Sequence, residues 1–135
     1  MRFLFDNTLP PKLAKALNIL VQPEHEIRHL KEPFFASIQD EDWIKGLGED
    51  DHWIIVTADM RAERNAHEFD AWKQTKRPVI TLKSGWLDLP FWRQMNILTK
   101  SFPKIISAVQ RLGTDQPLGL TTSGKVERFR MRSNG

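Results

Sequence analysis

The alternation of strand-like and helix-like segments in this 135-residue chain predicts an α/β sandwich with a mainly parallel sheet. Two short, largely apolar runs, at residues 2–5 and 53–58, are rich in aromatic and β-branched residues, which is typical of strands buried on both faces. Each run is followed at once by an aspartate, Asp6 or Asp59. Segments with apolar residues at helical spacing separate the runs, and strands joined through helices usually pair in parallel.

The predicted elements follow the order β-α-β-α-β-α-β-α-α. Strands are predicted at 2–5, 25–30, 53–57 and 79–82, and helical segments at about 9–20, 37–47, 62–74 and 90–112. The last segment is expected to be two helices, because Pro103 interrupts it. Residues 1–113 are predicted to form one domain, and residues 114–135 are predicted to be a C-terminal extension with a loop and a terminal strand or hairpin.

The first helix has the clearest signals. Its leucines recur at positions i, i+4 and i+7, as on the buried face of an amphipathic helix. Pro10 and Pro11 suit a first helical turn, and Asn7 or Thr8 is the expected N-cap.

Composition excludes several classes of protein. Hydrophobic residues make up 40% of the chain and charged residues 27%, which is ordinary for a globular domain. There is no cysteine, so disulfides, thiolate nucleophiles and thiolate zinc sites are excluded. No apolar run approaches the length of a membrane span, and a cytoplasmic location is expected. The formal charge of +3 points weakly to an acidic partner.

Three acidic positions suggest a metal site. Ligands of parallel sheets bind beyond the carboxyl ends of the strands, where Asp6 and Asp59 are expected to lie. A third acidic group, Asp40-Glu41-Asp42, opens the helical segment between them. Clustered carboxylates repel one another unless a hard cation such as Mg²⁺ or Mn²⁺ neutralises them. We expect their oxygens to lie within about 8 Å of a common point, the span of one or two cations.

Several stretches together resemble PIN-like domains. They are residues 3–7 (FLFDN), 9–17 (LPPKLAKAL), 40–44 (DEDWI) and 56–59 (VTAD). Residues 85–92 (GWLDLPFW) and 123–125 (SGK) resemble the VapC-like toxin branch of that superfamily. The resemblance implies a three-layer α/β/α sandwich, a PIN-like nuclease domain at 1–113, Mg²⁺ or Mn²⁺, endoribonuclease activity and a toxin–antitoxin pair.

The resemblance also implies roles for particular residues. The catalytic set is Asp6, Glu41 and Asp59, and the metal ligands come from Asp6, Asp40, Glu41, Asp42 and Asp59, with the choice among residues 40–42 open. Supporting residues are Asn7, Thr57 and Glu63. The cations expected to hold RNA are Arg61, Arg64, Lys83, Lys125 and Arg128. The expected partners are RNA, an antitoxin protein and a second copy of the chain.

Other interpretations remain open. Arg61 stands where related PIN-like sequences commonly have a second acid, which keeps open the interpretation of a catalytically inactive module that binds RNA or protein. Asp6, Asp59, Thr81 and Lys83 follow the order of a phosphoacceptor receiver domain. Either aspartate could instead be a helix N-cap. The four histidines lack zinc-ligand spacing and are interpreted as surface or loop residues.

Overall fold

The computed structural model describes residues 1–32, 53–58, 79–112 and 118–128. The strands are β1 (Arg2–Phe5), β2 (Glu26–His29), β3 (Trp53–Thr57), β4 (Val79–Leu82), β5 (Leu118–Leu120) and β6 (Val126–Arg128). The helices are α1 (Pro11–Val21) and α2 (Phe91–Leu112), with a short 3₁₀ helix at Trp86–Asp88. The helical segments predicted at 37–47 and 62–74 lie outside the described residues.

The six strands form one sheet in the order β2-β1-β3-β4-β5-β6. Strands β1 to β5 pair in parallel, and only β6 is antiparallel to its neighbour. The predicted α/β fold with a mainly parallel sheet is therefore confirmed. Because β1 and β3 are neighbours, the residues that follow them meet at the same edge of the sheet.

Both described helices pack against one face of the sheet. Alternate strand residues, such as Phe3 and Phe5 of β1, share a buried cluster with the apolar faces of α1 and α2. The ring of Phe3 meets that of Phe102 edge to face, with 5.0 Å between centroids. Residues that point to the opposite face, including Ile55 and Thr81, are also buried. Neither described helix has the length and apolar composition needed to cross a membrane.

Helix α2 differs from its prediction, because it runs unbroken from Phe91 to Leu112 with Pro103 inside it. A proline at this position removes the hydrogen bond to the carbonyl of Thr99, four residues earlier. Thr99 and Pro103 are both exposed, so water can reach that carbonyl. Buried residues on both sides of the proline, Leu98 and Ile105, hold the two halves against the same core. The prediction of two helices was wrong because tertiary packing outweighs the local signal.

The N-cap of α1 is also different from the prediction. Pro10 occupies the cap position with extended backbone angles, and no side chain caps the helix. Asn7 and Thr8 precede this position, and the hydroxyl of Thr8 bonds elsewhere. The start of α1 depends on the fixed φ of Pro11 in its first turn rather than on a side-chain cap.

The C-terminal part of the described chain is a hairpin that extends the sheet. Leu118 pairs with Arg128, and Leu120 pairs with Val126. The predicted terminal strand is therefore present at Val126–Arg128. The division of the chain into a domain and an extension at residue 113 stays a prediction.

Candidate functional site

Asp6 lies at the carboxyl edge of the sheet, directly after β1. Its backbone N–H donates to the carbonyl oxygen of Val56 on β3, at 3.1 Å. The last residues of the two strands are in register, with Phe5 beside Val56. Thr57, the final residue of β3, is therefore brought next to Asp6, as their places at two strand ends predict.

Threonine side chains hold the carboxylate of Asp6. Its Oδ1 accepts hydrogen bonds from the backbone N–H of Thr8, at 3.0 Å, and from the Thr8 hydroxyl. Its Oδ2 accepts from the hydroxyl of Thr57, at 2.5 Å. The Thr8 oxygen in turn accepts from the backbone N–H of Ala58, at 2.9 Å. Asp6 thus closes an Asx-type turn and joins the ends of β1 and β3, so the N-cap interpretation of Asp6 was wrong.

A buried histidine supports the loop that follows Asp6. His29, at the end of β2, is 2% exposed, and its Nε2 donates to the carbonyl of Leu9 at 2.7 Å. Its Nδ1 accepts from the backbone N–H of Lys31 at 2.9 Å. Since a backbone carbonyl can only accept and a backbone N–H can only donate, the ring is satisfied as the neutral Nε2–H tautomer.

The sequence interpretation of this histidine as a surface residue was wrong. The period-two alternation of β2, in which Ile27 and His29 face the same way, is a signal that could have identified it. His25 is half-buried, whereas His52 and His67 lie outside the described residues.

Two cations predicted to hold RNA lie beside one glutamate. Lys83 Nζ donates to Glu127 Oε2 at 3.0 Å, and Lys125 Nζ is 3.9 Å from the other oxygen, Oε1. The hydrogen bond from Lys83, together with its charge, lowers the pKa of Glu127. The side chain of Lys83 crosses β5 above Gly119, where a Cβ atom would lie 2.9 Å from Lys83 Cε. Glycine in β5 therefore leaves room for a contact between β4 and β6.

Comparison with known proteins identifies the family. Residues 1–84 match the family model of a PIN like domain. The chain belongs to the PIN-like domain family. No curated protein and no solved structure matches the chain. The matched residues contain β1 to β4, and therefore the strands that position Asp6 and Thr57.

The described part of this PIN-like domain contains some of the predicted site residues. Asp6 and Thr57 are in contact, Asn7 is exposed beside them, and Arg128 is exposed at the far end of β6. The remaining predicted residues lie outside the described ranges: Asp40, Glu41, Asp42, Asp59, Arg61, Glu63 and Arg64. Within the described ranges, no group of three or more His, Cys, Asp or Glu side chains forms a metal site. The convergence of Asp6 with the other acids stays a prediction.

The donor set around Asp6 is compatible with a hard-cation ligand. Mg²⁺ is bound in proteins through one or two carboxylates together with water and substrate oxygens. Asp6 supplies such a carboxylate in a half-exposed position, and the threonine hydroxyls fix its orientation. Hydrogen bonds to a ligating carboxylate are the usual outer-shell support of a metal site. Asp6 therefore fits the role of one oxygen ligand.

Proposed function

We propose that this PIN-like domain is an endoribonuclease that depends on Mg²⁺ or Mn²⁺. PIN-like domains are commonly nucleases, and the chain belongs to that family. The observation that carries the proposal is the oriented carboxylate of Asp6 at the edge where parallel α/β sheets bind ligands. Its two oxygens are oriented by donors from the turn after β1 and from β3.

In this proposal one set of residues binds the metal and another set binds the RNA. Asp6, Asp59 and one of the acids at 40–42 would hold the cation, which lowers the pKa of a coordinated water and stabilises charge on the phosphate. Thr8 and Thr57 orient the Asp6 carboxylate. Arg61, Arg64, Lys83, Lys125 and Arg128 are the cations proposed to hold the RNA backbone.

We further propose that this domain belongs to the VapC-like toxin branch of the PIN-like domains. This assignment is supported by the sequence resemblance at residues 85–92 and 123–125. In the structure the first segment contains the 3₁₀ helix and the first two residues of α2, and the second lies in the turn of the β5–β6 hairpin. An antitoxin, a second copy of the chain and a cytoplasmic setting belong to this part of the proposal.

Cleavage of RNA tests the proposal directly. Purified protein is incubated with a labelled RNA in Mn²⁺ or Mg²⁺, with and without EDTA, and the variants Asp6→Asn and Asp59→Asn are compared with the wild type. We expect cleavage that EDTA abolishes and that each variant reduces by at least about a hundredfold, because a metal ligand is lost. Asp88→Asn, which changes an exposed aspartate of the 3₁₀ helix, is the matched control. Full activity in Asp6→Asn would contradict the proposal.

The second candidate is a catalytically inactive PIN-like module. The presence of Arg61, where an acid is common in related sequences, favours it. Wild-type protein that binds the RNA but leaves it intact in both metals would support this candidate. The receiver interpretation is set aside, since the chain belongs to the PIN-like family.

A further inference from the structure

Helix α2 carries basic residues and no acidic ones. Its 22 residues include Arg93, Lys100, Lys104 and Arg111, and all four are exposed. Their spacings of seven, four and seven residues place them within an arc of about 40° on the helix surface. At a rise of about 1.5 Å per residue, the row is about 27 Å long. We call these four residues the cationic face of α2.

These cations differ from others in the described part of the chain. Arg2 and Arg28 form ion pairs with Glu26, and Lys83 forms one with Glu127. Within the same described ranges, no acidic side chain pairs with the cationic face. Arg93 also lies in the first turn, where the helix dipole disfavours a cation by about 0.3–1 kcal/mol. Arg111 lies in the last turn, where the same dipole favours a cation, so helix stability accounts for the charge of Arg111 but not for that of Arg93.

An exposed aromatic residue precedes Arg93 at the N-terminal end of α2, about 100° around the helix from the cationic face. Trp92 is 81% exposed, although tryptophan is usually well buried. Its ring meets Phe91 edge to face, and Lys12 Nζ lies 4.6 Å from the Phe91 ring centroid. Because α1 and α2 both begin after strands that end at the carboxyl edge, this aromatic end lies on the side of the sheet that carries Asp6.

A groove lies at the other end of the cationic face. It has a volume of about 500 Å³ and separates the C-terminal half of α2 from β6. Lys104 and Arg111 line one side, Lys125 lines the other, and small or apolar residues such as Ala108 and Val126 lie between them. A positively charged groove that follows the backbone is one component of surfaces that bind single-stranded nucleic acids, and exposed aromatic residues are the other.

We propose that the cationic face of α2 binds single-stranded RNA, with its phosphates along Arg93, Lys100, Lys104 and Arg111 and a base stacked on Trp92. The ligand class rests on the proposed function, whereas the surface is inferred from α2 itself. An acidic peptide would also match the charge. The exposed indole at the N-terminal end of α2 favours RNA, because every base offers a ring face for stacking.

Binding measured without catalysis tests the inference. The affinity of the full chain for a fluorescein-labelled twelve-nucleotide oligouridine is measured by anisotropy in EDTA over a range of salt concentrations. Each phosphate contact on a single strand adds about 0.7 to the slope of log Kd against log salt. We expect Lys100→Gln/Lys104→Gln to lower the slope by about 1.4 and to weaken binding roughly 10- to 30-fold at 0.1 M salt.

Matched controls separate a specific surface from total charge. Lys15→Gln/Lys31→Gln removes the same charge from exposed positions elsewhere, and we expect less than a twofold effect. Trp92→Ala is expected to weaken binding about fivefold or more without changing the slope, whereas Leu87→Ala, at a residue 58% exposed, is expected to leave it unchanged.

Several outcomes would overturn the inference. If the two lysine double variants lose RNA affinity equally, binding depends only on the net charge of the protein. Two results together would point to an acidic protein partner instead: Trp92→Ala binds the oligouridine as tightly as the wild type, and a polyglutamate peptide displaces the oligouridine as well as unlabelled RNA does. Because EDTA removes metal, RNA binding that follows these expectations in a protein without nuclease activity would leave this inference standing and contradict only the proposed function.

Discussion

At the scale of single residues, Asp6 shows how one side chain can join the ends of two strands. An aspartate between a strand and a helix is often an N-cap, but here α1 begins only at Pro11. The carboxylate instead accepts from Thr8 in its own turn and from Thr57 on the neighbouring strand. Its orientation is therefore fixed by the same contacts that join β1 to β3.

The Thr57–Asp6 hydrogen bond gives the first prediction. Thr57 is fully buried, and Thr57→Val keeps its shape while removing the donor to a charged acceptor. We expect the free energy of unfolding in urea to fall by about 1.5–3 kcal/mol. The control is Thr81→Val, at the position paired with Thr57 on β4, whose hydroxyl makes no side-chain hydrogen bond within the described ranges. Thr81→Val is expected to be neutral or stabilising. Equal losses in both variants would contradict the prediction.

His25 gives a second prediction, which concerns pH. Burial, followed by the positive charge of the Met1 amino group 2.9 Å from Nδ1, lowers the pKa of His25 below the ordinary value of 6.5. The unfolded chain therefore binds this proton more readily than the folded one. The stability contribution is present above pH 6.5 and is lost as the pH falls through the folded pKa.

Urea denaturation between about pH 5 and 7.5 measures this contribution. We expect the stability of the wild type to decline more steeply toward low pH than that of His25→Gln. The other histidines remain in both proteins, so the difference between the two curves reports His25. Parallel curves would show that the ring does not titrate differently in the folded state.

At the scale of elements, the sequence predicts best where the hydrophobic pattern and packing agree. The runs at 2–5, 53–57 and 79–82 correspond to β1, β3 and β4. The sequence pattern is misleading at Pro103. Proline is a local signal for a helix break, but here buried residues on both sides of it pack against one core and keep α2 continuous. Contacts such as Lys83 with Glu127 depend on strand order, which the sequence alone does not specify.

Pro103 gives a third prediction. Because it is exposed, Pro103→Ala leaves no cavity and allows the missing intrahelical hydrogen bond to form. We expect the free energy of unfolding to rise by about 1–3 kcal/mol, after the higher entropy of the unfolded variant chain is subtracted. Pro11→Ala is the control, since proline suits the first position of α1 and its replacement should bring no gain. Lower stability of Pro103→Ala would mean that the proline stabilises α2.

At the scale of the whole molecule, the folded unit extends beyond the residues that define the family. The PIN-like match ends at residue 84, close after β4. Helix α2 and β5 nevertheless contribute to the same core, through residues such as Leu98, Phe102 and Leu120. The indole N–H of Trp86 donates to the carbonyl of Leu120 at 3.1 Å, which ties the hairpin to the segment before α2.

The candidate site is only partly predictable at this scale. Parallel pairing of β1 and β3 brings Asp6 next to Thr57, and the sequence pattern anticipates it. Thr8 was missed as a support although its contact with Asp6 is a local turn, because it was interpreted as an N-cap candidate. His29 was missed because its partner, Leu9, is distant in the chain. Such contacts depend on register and side-chain orientation rather than on residue type.

The last prediction tests whether the predicted division at residue 113 separates independent units. A chain ending at Gly113 lacks Leu118 and Leu120, which are 3% and 0% exposed, and it leaves β4 as an unprotected edge. Removing one buried leucine side chain typically costs 2–5 kcal/mol, and whole domains are stable by only about 5–15 kcal/mol. We therefore expect the truncated chain to unfold or aggregate, as judged by circular dichroism and gel filtration. Leu120→Ala in the full chain is the control, and it should remain folded with stability reduced by about 2–5 kcal/mol. A monomeric truncated chain that unfolds cooperatively would show that residues 1–113 fold without the hairpin.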